Sequence, residues 1–184
     1  MFHSLRKLRR MPIRATDGKI GELLGFFFDE NTWQIRCLVA DTGHWLSGRK
    51  VLIAADLFRP PSAWEEGFHV DVTRDQIKNC PVLSKAGSTL GETGNVNAFD
   101  YSILDPAGEF SLLGPEPRII GAFDPRQLRS TDEVRGYTIR AADGDFGHLA
   151  DFIFDDESWI IRYLLIDTGG WWPGREGVVI TRMD

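Results

Sequence analysis

The sequence predicts a mostly β fold: two tandem small antiparallel β-barrel modules, with a short helix and a Gly/Pro-containing linker. Three observations predict it. A segment recurs at a constant offset of 126 residues. Short hydrophobic runs alternate with turn residues in both copies. The stretch between the copies has little hydrophobic periodicity and is rich in Gly and Pro.

The repeat runs from Ile13 to Arg49 and again from Ile139 to Arg175, without a gap, and 20 of its 37 positions are identical. Self-similarity of this kind marks a duplication. In the first copy, Met11 to Ala15 alternates and closes at Asp17-Gly18, a hairpin signal because Gly accepts the positive φ of a tight turn. Lys19 to Asp29 reads as a long strand, with Gly21 marking a bulge or bend. A polar turn at Glu30 to Thr32 leads to a third strand, Trp33 to Ala40, rich in β-branched and aromatic residues. After Asp41-Thr42-Gly43 come strands Lys50 to Ala54 and Phe68 to Val72. A short helix starts at Thr73, where Gln76 completes a capping box.

The second copy repeats the pattern at Tyr137 to Ala141, Asp145 to Asp155, Trp159 to Ile166 and Gly177 to Thr181. Asp184 aligns with position 58, so the given sequence holds no counterpart of residues 59–80. A barrel without its last strand has an open edge, and Arg118 to Phe123 or a partner chain is expected to fill it. The expected domains are a module over 1–81, a linker over 82–126, and a C-terminally truncated module over 127–184. From Lys85 to Pro125 there are six Gly and four Pro, which favours the linker reading.

Apolar residues are 42% and charged residues 26% of the 184, a globular balance. No stretch approaches the roughly 20 apolar residues that cross a bilayer, and no signal peptide is recognisable. A cytoplasmic, not membrane-spanning protein is expected. Residues 1–58 hold nine Lys/Arg against six Asp/Glu, residues 59–126 six against ten, and residues 127–184 six against eleven. The acidic second module argues against nucleic acid as the main partner. Cys37 reads as a core residue, and Cys80 has no partner at metal spacing.

The repeated residues Asp17-Gly18, Gly21, Asp29, Trp33, Ile35-Arg36, Leu38, Asp41-Thr42-Gly43, Trp45 and Gly48-Arg49 together resemble the PRC-barrel family, whose type member is the cytoplasmic domain of the photosynthetic reaction-centre H subunit. The resemblance covers Arg10 to Pro81 and Gly136 to Thr181, and the tandem arrangement is similar to bacterial proteins with two such barrels. It implies a small barrel used for interaction: in the H subunit it organises a membrane complex, and in ribosome-maturation factors a related barrel joins an RNA-processing scaffold. The membrane helix of the former and the companion domain of the latter have no counterpart in this sequence.

The candidate interaction residues are Trp33, Arg36, Trp45, Trp159, Arg162, Trp171 and Trp172. Trp and Arg are enriched at binding hot spots. The alternative for Arg36 is an ion pair with Asp29 or Asp41, and for Trp33 a place in the core. Trp45 either anchors a partner or covers a barrel end, and Trp171-Trp172 is the favoured contact patch. Asp41-Thr42-Gly43 and Asp167-Thr168-Gly169 match the aspartic-protease triplet, but the surrounding pattern is that of a hairpin turn. The carboxylates at 29–30 and 155–157 span too short a tip for a calcium loop. The four histidines show no ligand spacing, so no catalytic, cofactor or metal residue is expected.

The expected function is a non-enzymatic protein-interaction or scaffolding module with a protein partner, and a homodimer is expected from the open edge. The alternatives are an RNA- or ribosome-associated factor acting through Arg6 to Arg10, and a small-ligand binder or enzyme using a groove between the modules.

Overall fold

The computed structural model describes residues 1–59, 67–78, 82–85, 101–104, 127–141 and 144–168. The chain is mostly β, and its described helices are short. It opens with an arm, β1 (Phe2–Ser4) and α1 (Leu5–Leu8), in which the Ser4 hydroxyl caps the helix by accepting the Lys7 N–H at 3.2 Å. The first copy continues as β2 (Pro12–Ala15), β3 (Gly18–Asp29), β4 (Ile35–Asp41), β5 (Lys50–Ala54), β6 (Phe68–His69) and α2 (Arg74–Lys78). The capping box before α2 forms as the sequence predicts: the Thr73 N–H donates to Gln76 Oε1 at 2.8 Å, and the Gln76 N–H donates to Thr73 Oγ1 at 3.2 Å.

Two stretches of the connector are themselves strands. β7 (Val82–Lys85) pairs with β5 through Val51 and Val82, and β8 (Tyr101–Leu104) pairs with β7. The expected linker over 82–126 is therefore partly sheet. An exposed edge at β5 is a pairing template, and these residues occupy it. The second copy supplies β9 (Leu128–Ser130), α3 (Thr131–Val134), β10 (Thr138–Ala141), β11 (Gly144–Asp155) and β12 (Ile160–Asp167). Arg118 to Phe123, Cys80 and residues 169–184 lie outside the described residues.

The strands form two sheets, one ordered β6-β2-β3-β4-β5-β7-β8 with β9 also on β3, the other β1-β11-β10 with β12 on β11. Among the described residues neither sheet closes on itself. The larger sheet is mixed rather than purely antiparallel, because β6 runs parallel to β2 with Ile13 opposite Phe68.

The division by sheet differs from the division by chain segment. β1 belongs to the first copy, yet it pairs with β11 of the second through Phe2–Asp155, His3–Phe154 and Ser4–Ile153. β9 belongs to the second copy and pairs with β3 of the first through Leu128–Asp29, Arg129–Phe28 and Ser130–Phe27. Every one of these pairs maps onto its mate by the same offset of 126. Between the copies, Ile35 N–H donates to the Trp159 carbonyl at 2.7 Å and Ile161 N–H to the Trp33 carbonyl at 2.8 Å. Gln34 bridges Ile160, its own counterpart, so a local two-fold axis passes there. The chain is an internal two-fold pair with exchanged arms.

Both long strands carry register shifts in the same three places, between Ile13/Arg14, Leu23/Gly25 and Phe27/Phe28 and their mates. These bulges bend β3 and β11 sharply. At the first, Ile20 is the extra residue and Gly21 passes so close to β4 that a Cβ would sit 1.8 Å from the Asp41 carbonyl oxygen. At Gly147 the same atom would lie 2.3 Å from the Asp167 carbonyl. Absence of a side chain at this crossing is a requirement of the fold. The buried core is one cluster spanning both copies, from Ile13, Ile20 and Leu38 to Phe152, Phe154 and Ile161.

Two outcomes follow from the exchanged arms and the tight crossing. Cleavage at a protease site engineered between residues 105 and 126 should leave both fragments co-eluting on size exclusion in native buffer. Separation into two species would contradict the exchange. Gly21→Ala should lower unfolding free energy by about 2–3 kcal/mol in urea titration, since backbone rather than a flexible side chain must move.

Candidate functional site

The seam between the copies is aromatic. Phe28 stacks on Trp33 with centroids 5.3 Å apart, and Phe154 stacks on Trp159 at 5.4 Å. Across the axis Phe26 meets Phe154 at 6.1 Å and Phe28 meets Phe152 at 5.7 Å. Trp159 also reaches Phe58 of the first copy at 6.1 Å. Such pairs contribute about 0.5–1.5 kcal/mol each beyond area burial.

Trp33 and Trp159 do not begin their strands, contrary to the alternation read from the sequence. They close the turn before them at φ of 56° and 55°. A left-handed conformation is uncommon for a bulky side chain and costs about 1–2 kcal/mol. The turn is held by Asp29, whose Oδ1 accepts the Asn31 and Thr32 amides at 2.9 and 3.1 Å, and by the Trp33 N–H donated to the Asp29 carbonyl at 2.7 Å. This geometry turns each indole onto the Phe ring of its own long strand and commits both to the seam.

Arg36 is half-buried, with Nη2 3.7 Å from Asp29 Oδ2. Its counterpart Arg162 is half-buried and forms no ion pair with a described residue. Trp45 is half-buried on the 3-10 turn Gly43–Leu46, its indole N–H donates to the Ile20 carbonyl, and the Arg74 guanidinium lies 4.4 Å over its ring. It ties that turn to β3 and α2, covering an end of the first module. Trp171 and Trp172 lie outside the described residues. Asp41 is occupied by its own turn, accepting the Gly43 amide at 2.9 Å, while Thr42 bonds the Arg49 carbonyl at 2.8 Å.

The exchanged arms are locked by different chemistry at the two ends, and the sequence reading missed both. Asp151, nearly buried on β11, accepts the Ser4 hydroxyl and the Arg6 amide, capping α1. Its counterpart is Gly25, and there the lock comes from the arm instead: the Thr131 hydroxyl accepts the Phe26 amide at 3.2 Å and donates to the Phe26 carbonyl at 3.3 Å. Asp132 lies between Arg9 and Arg135, at 2.7 and 3.4 Å, and these two arginines are counterparts of each other. The available signal was Ser4 and Ser130 at the same offset, each heading a short helix, but their flanking residues differ too much for the 37-residue match to extend that far.

Beyond α1 and β1, Asp156 is buried and receives the Met1 ammonium at 2.5 Å, with His3 Nε2 at 2.6 Å. Burial pushes its carboxyl up, but hydrogen bonds from the ammonium and from His3 outweigh this and hold it below the usual range. Asp155 is also held low, first by the Ser158 hydroxyl. Bonds to Asp156 hold the Met1 ammonium above its ordinary value. Cys37 is fully buried and its thiol is pushed up to about 12, so it is inert as a nucleophile.

Among the described residues no three His, Cys, Asp or Glu side chains converge as a metal site. A groove of about 350 Å³ lies beside β2 and β6, lined by Arg14, Thr16, Arg59, His69 and Val70. It belongs to the first module alone, and Arg59 in it is engaged by Asp71 at 2.6 Å. The described seam between the modules carries the ring contacts given above. No described helix is long and apolar enough to cross a membrane. Comparison with models of known protein families and with curated proteins finds no match to this chain.

The two faces of the fold differ in cover. On β11 and β12, Ile153, Tyr163 and Leu165 are half-exposed, and Phe2, its ring edge-on to Tyr163 at 5.3 Å, is 55% exposed. Their counterparts at the offset of 126, Phe27, Cys37 and Val39 in the first module and Leu128 on the arm paired with it, are all buried.

The seam and the arm each carry a measurable consequence. Trp159→Ala should remove about 3 kcal/mol and lower both modules' stability in a single transition, since the ring touches both copies. Two resolved transitions would contradict that coupling. For the arm, a depressed carboxyl stabilises above its ordinary value near 4 and loses that effect as pH falls through the lowered value. A raised ammonium stabilises below about 8 and loses its effect as pH rises through the raised value. The thermal midpoint of Asp156→Asn should therefore fall below the parent's between about pH 5 and 8, and the two should converge at both extremes. A constant difference across the range would exclude this linkage.

Proposed function

We propose that the chain is a non-enzymatic docking and scaffolding protein of the PRC-barrel type, in which the first module is the built framework and the second presents the contact surface. The observation that carries this reading is the partly exposed apolar face of Phe2, Ile153, Tyr163 and Leu165 on the smaller sheet, set where the larger sheet buries every equivalent residue. A contiguous apolar surface with aromatic rings on a rigid sheet is the chemistry of a partner interface. Trp33 and Trp159 stack in the seam and Trp45 packs against β3 and α2 of the first module, which supports contact residues on the outer face of the smaller sheet. The RNA reading is weakened because Arg9 is engaged by Asp132, and the acidic second module repels phosphate.

Crosslinked recovery of the tagged chain from its host tests this. The expected result is a defined protein that is lost from Phe2→Ser/Tyr163→Ser while the thermal midpoint stays near the parent's. Recovery of RNA or ribosomal components by both forms would overturn it in favour of the RNA-associated reading.

A further inference from the structure

The duplication supplies its own template for a strand-docking site. In the first module the outer edge of β2 is taken by β6, running parallel, with Ile13 opposite Phe68 and Arg14 opposite His69. The backbone continues the contact, the Val70 amide donating to the Arg14 carbonyl at 2.9 Å and the Thr16 amide to the Val72 carbonyl at 2.9 Å. Phe68 and Ile13 are both fully buried as a result. In the second module the equivalent strand β10 pairs with β11 on one side, and no described strand lies on the other. The same side chain, Ile139, at the same position is there only half-buried, and Tyr137 beside it is 40% exposed.

We infer that the outer edge of β10, Thr138–Ala141, is an acceptor for an extended segment of a partner protein, entering parallel to β10 and setting an aromatic side chain against Ile139. This rests on the docking reading above and names the geometry of one contact within it.

The template also specifies the segment. Gly67, immediately before Phe68, has φ of +117°, and a Cβ there would lie 2.3 Å from the Pro12 carbonyl oxygen. Only glycine lets the incoming chain approach that closely. Thr138 is the counterpart of Pro12, so the occupant should read glycine, aromatic, any residue, then a β-branched residue, as Gly67-Phe68-His69-Val70 does. Main-chain pairing supplies the affinity in such strand addition, and alternate side chains supply the selectivity. A second copy of this chain is the poorer occupant. Pairing β10 with β10 would bring together two modules that each hold eleven acidic against six basic residues. β6 of a second copy is already seated in its own first module.

The test is an NMR titration of the full-length ¹⁵N-labelled chain with a synthetic peptide of the sequence from Gly67 to Thr73. Saturable one-to-one shifts at Thr138 to Ala141 are expected, roughly tenfold weaker with the peptide in which Gly67 is Ala. Because that control alters only the peptide, it does not depend on a variant folding. Ile139→Asp, checked for an unchanged spectrum elsewhere, should abolish the shifts. Absence of binding at millimolar peptide, shifts confined to Ile13 and Arg14, or equal affinity for the alanine peptide would each overturn the inference. If the crosslinked partner is lost with Phe2→Ser/Tyr163→Ser but kept by Ile139→Asp, the docking reading stands and the β10 edge is not its site.

Discussion

Three residues of backbone, Phe2–Ser4 on β11, and their counterparts Leu128–Ser130 on β3 hold this molecule in its form. Each module is too small to bury a large core alone. By lending its arm to the other copy, each gains a sheet neighbour, and the aromatic residues between the arms are driven into one shared core. Phe26 meets Phe154 and Phe28 meets Phe152 across the axis, between the two long strands that the arms pair with. The turns at Trp33 and Trp159 then accept an unfavourable backbone conformation, which the stacking contacts offset. A two-fold pairing of the kind often found between chains is formed here within one.

Within that symmetric frame the copies have diverged in charge and cover. Asp151 is the counterpart of Gly25, so one arm is fastened by a carboxylate from the strand and the other by a hydroxyl from the arm. On the outer faces Leu128 and Cys37 of the larger sheet correspond to Phe2 and Tyr163 of the smaller one: the first two are buried, whereas Phe2 is exposed and Tyr163 partly exposed. In the first copy β3 is apolar on both faces because both are covered, which explains the unbroken run Leu23 to Phe28. In the second, Ile153 between the buried Phe152 and Phe154 is partly exposed. Duplication followed by this divergence leaves one sheet with a buried outer face and the other with a partly exposed one, the difference on which the proposed docking role rests.

Much of the local structure was legible. Gly21 marks a bulge, Thr73 and Gln76 form their capping box, and Lys50–Ala54 is a strand as its β-branched residues suggest. These are short-range effects, set by turn chemistry and alternation within a few residues. The pairing of Arg36 with Asp29 was one of two acids the spacing allowed, and the geometry selects it. Trp33 was misplaced because its side-chain type fits a strand, while its backbone is governed by the Asp29 turn and by a ring on the neighbouring strand. The connector looked featureless because β7 and β8 are short and stabilised by pairing with β5 rather than by any periodicity of their own.

By itself the sequence determined that there are two copies, that each is a β meander, and where its hairpin turns and the bulge at Gly21 fall, because identity at a fixed offset and turn residues are local and additive signals. Only the tertiary structure decided which copy each arm serves, since β1 and β9 are three residues long and carry no pattern that distinguishes an own strand from a partner's. It also decided which aromatic residues are spent inside and which face outward: Trp33 and Trp159 in the seam, Phe2 and Tyr163 at the surface. Burial at those positions depends on neighbours more than a hundred residues away, and hydrophobicity read along the chain does not contain that distance.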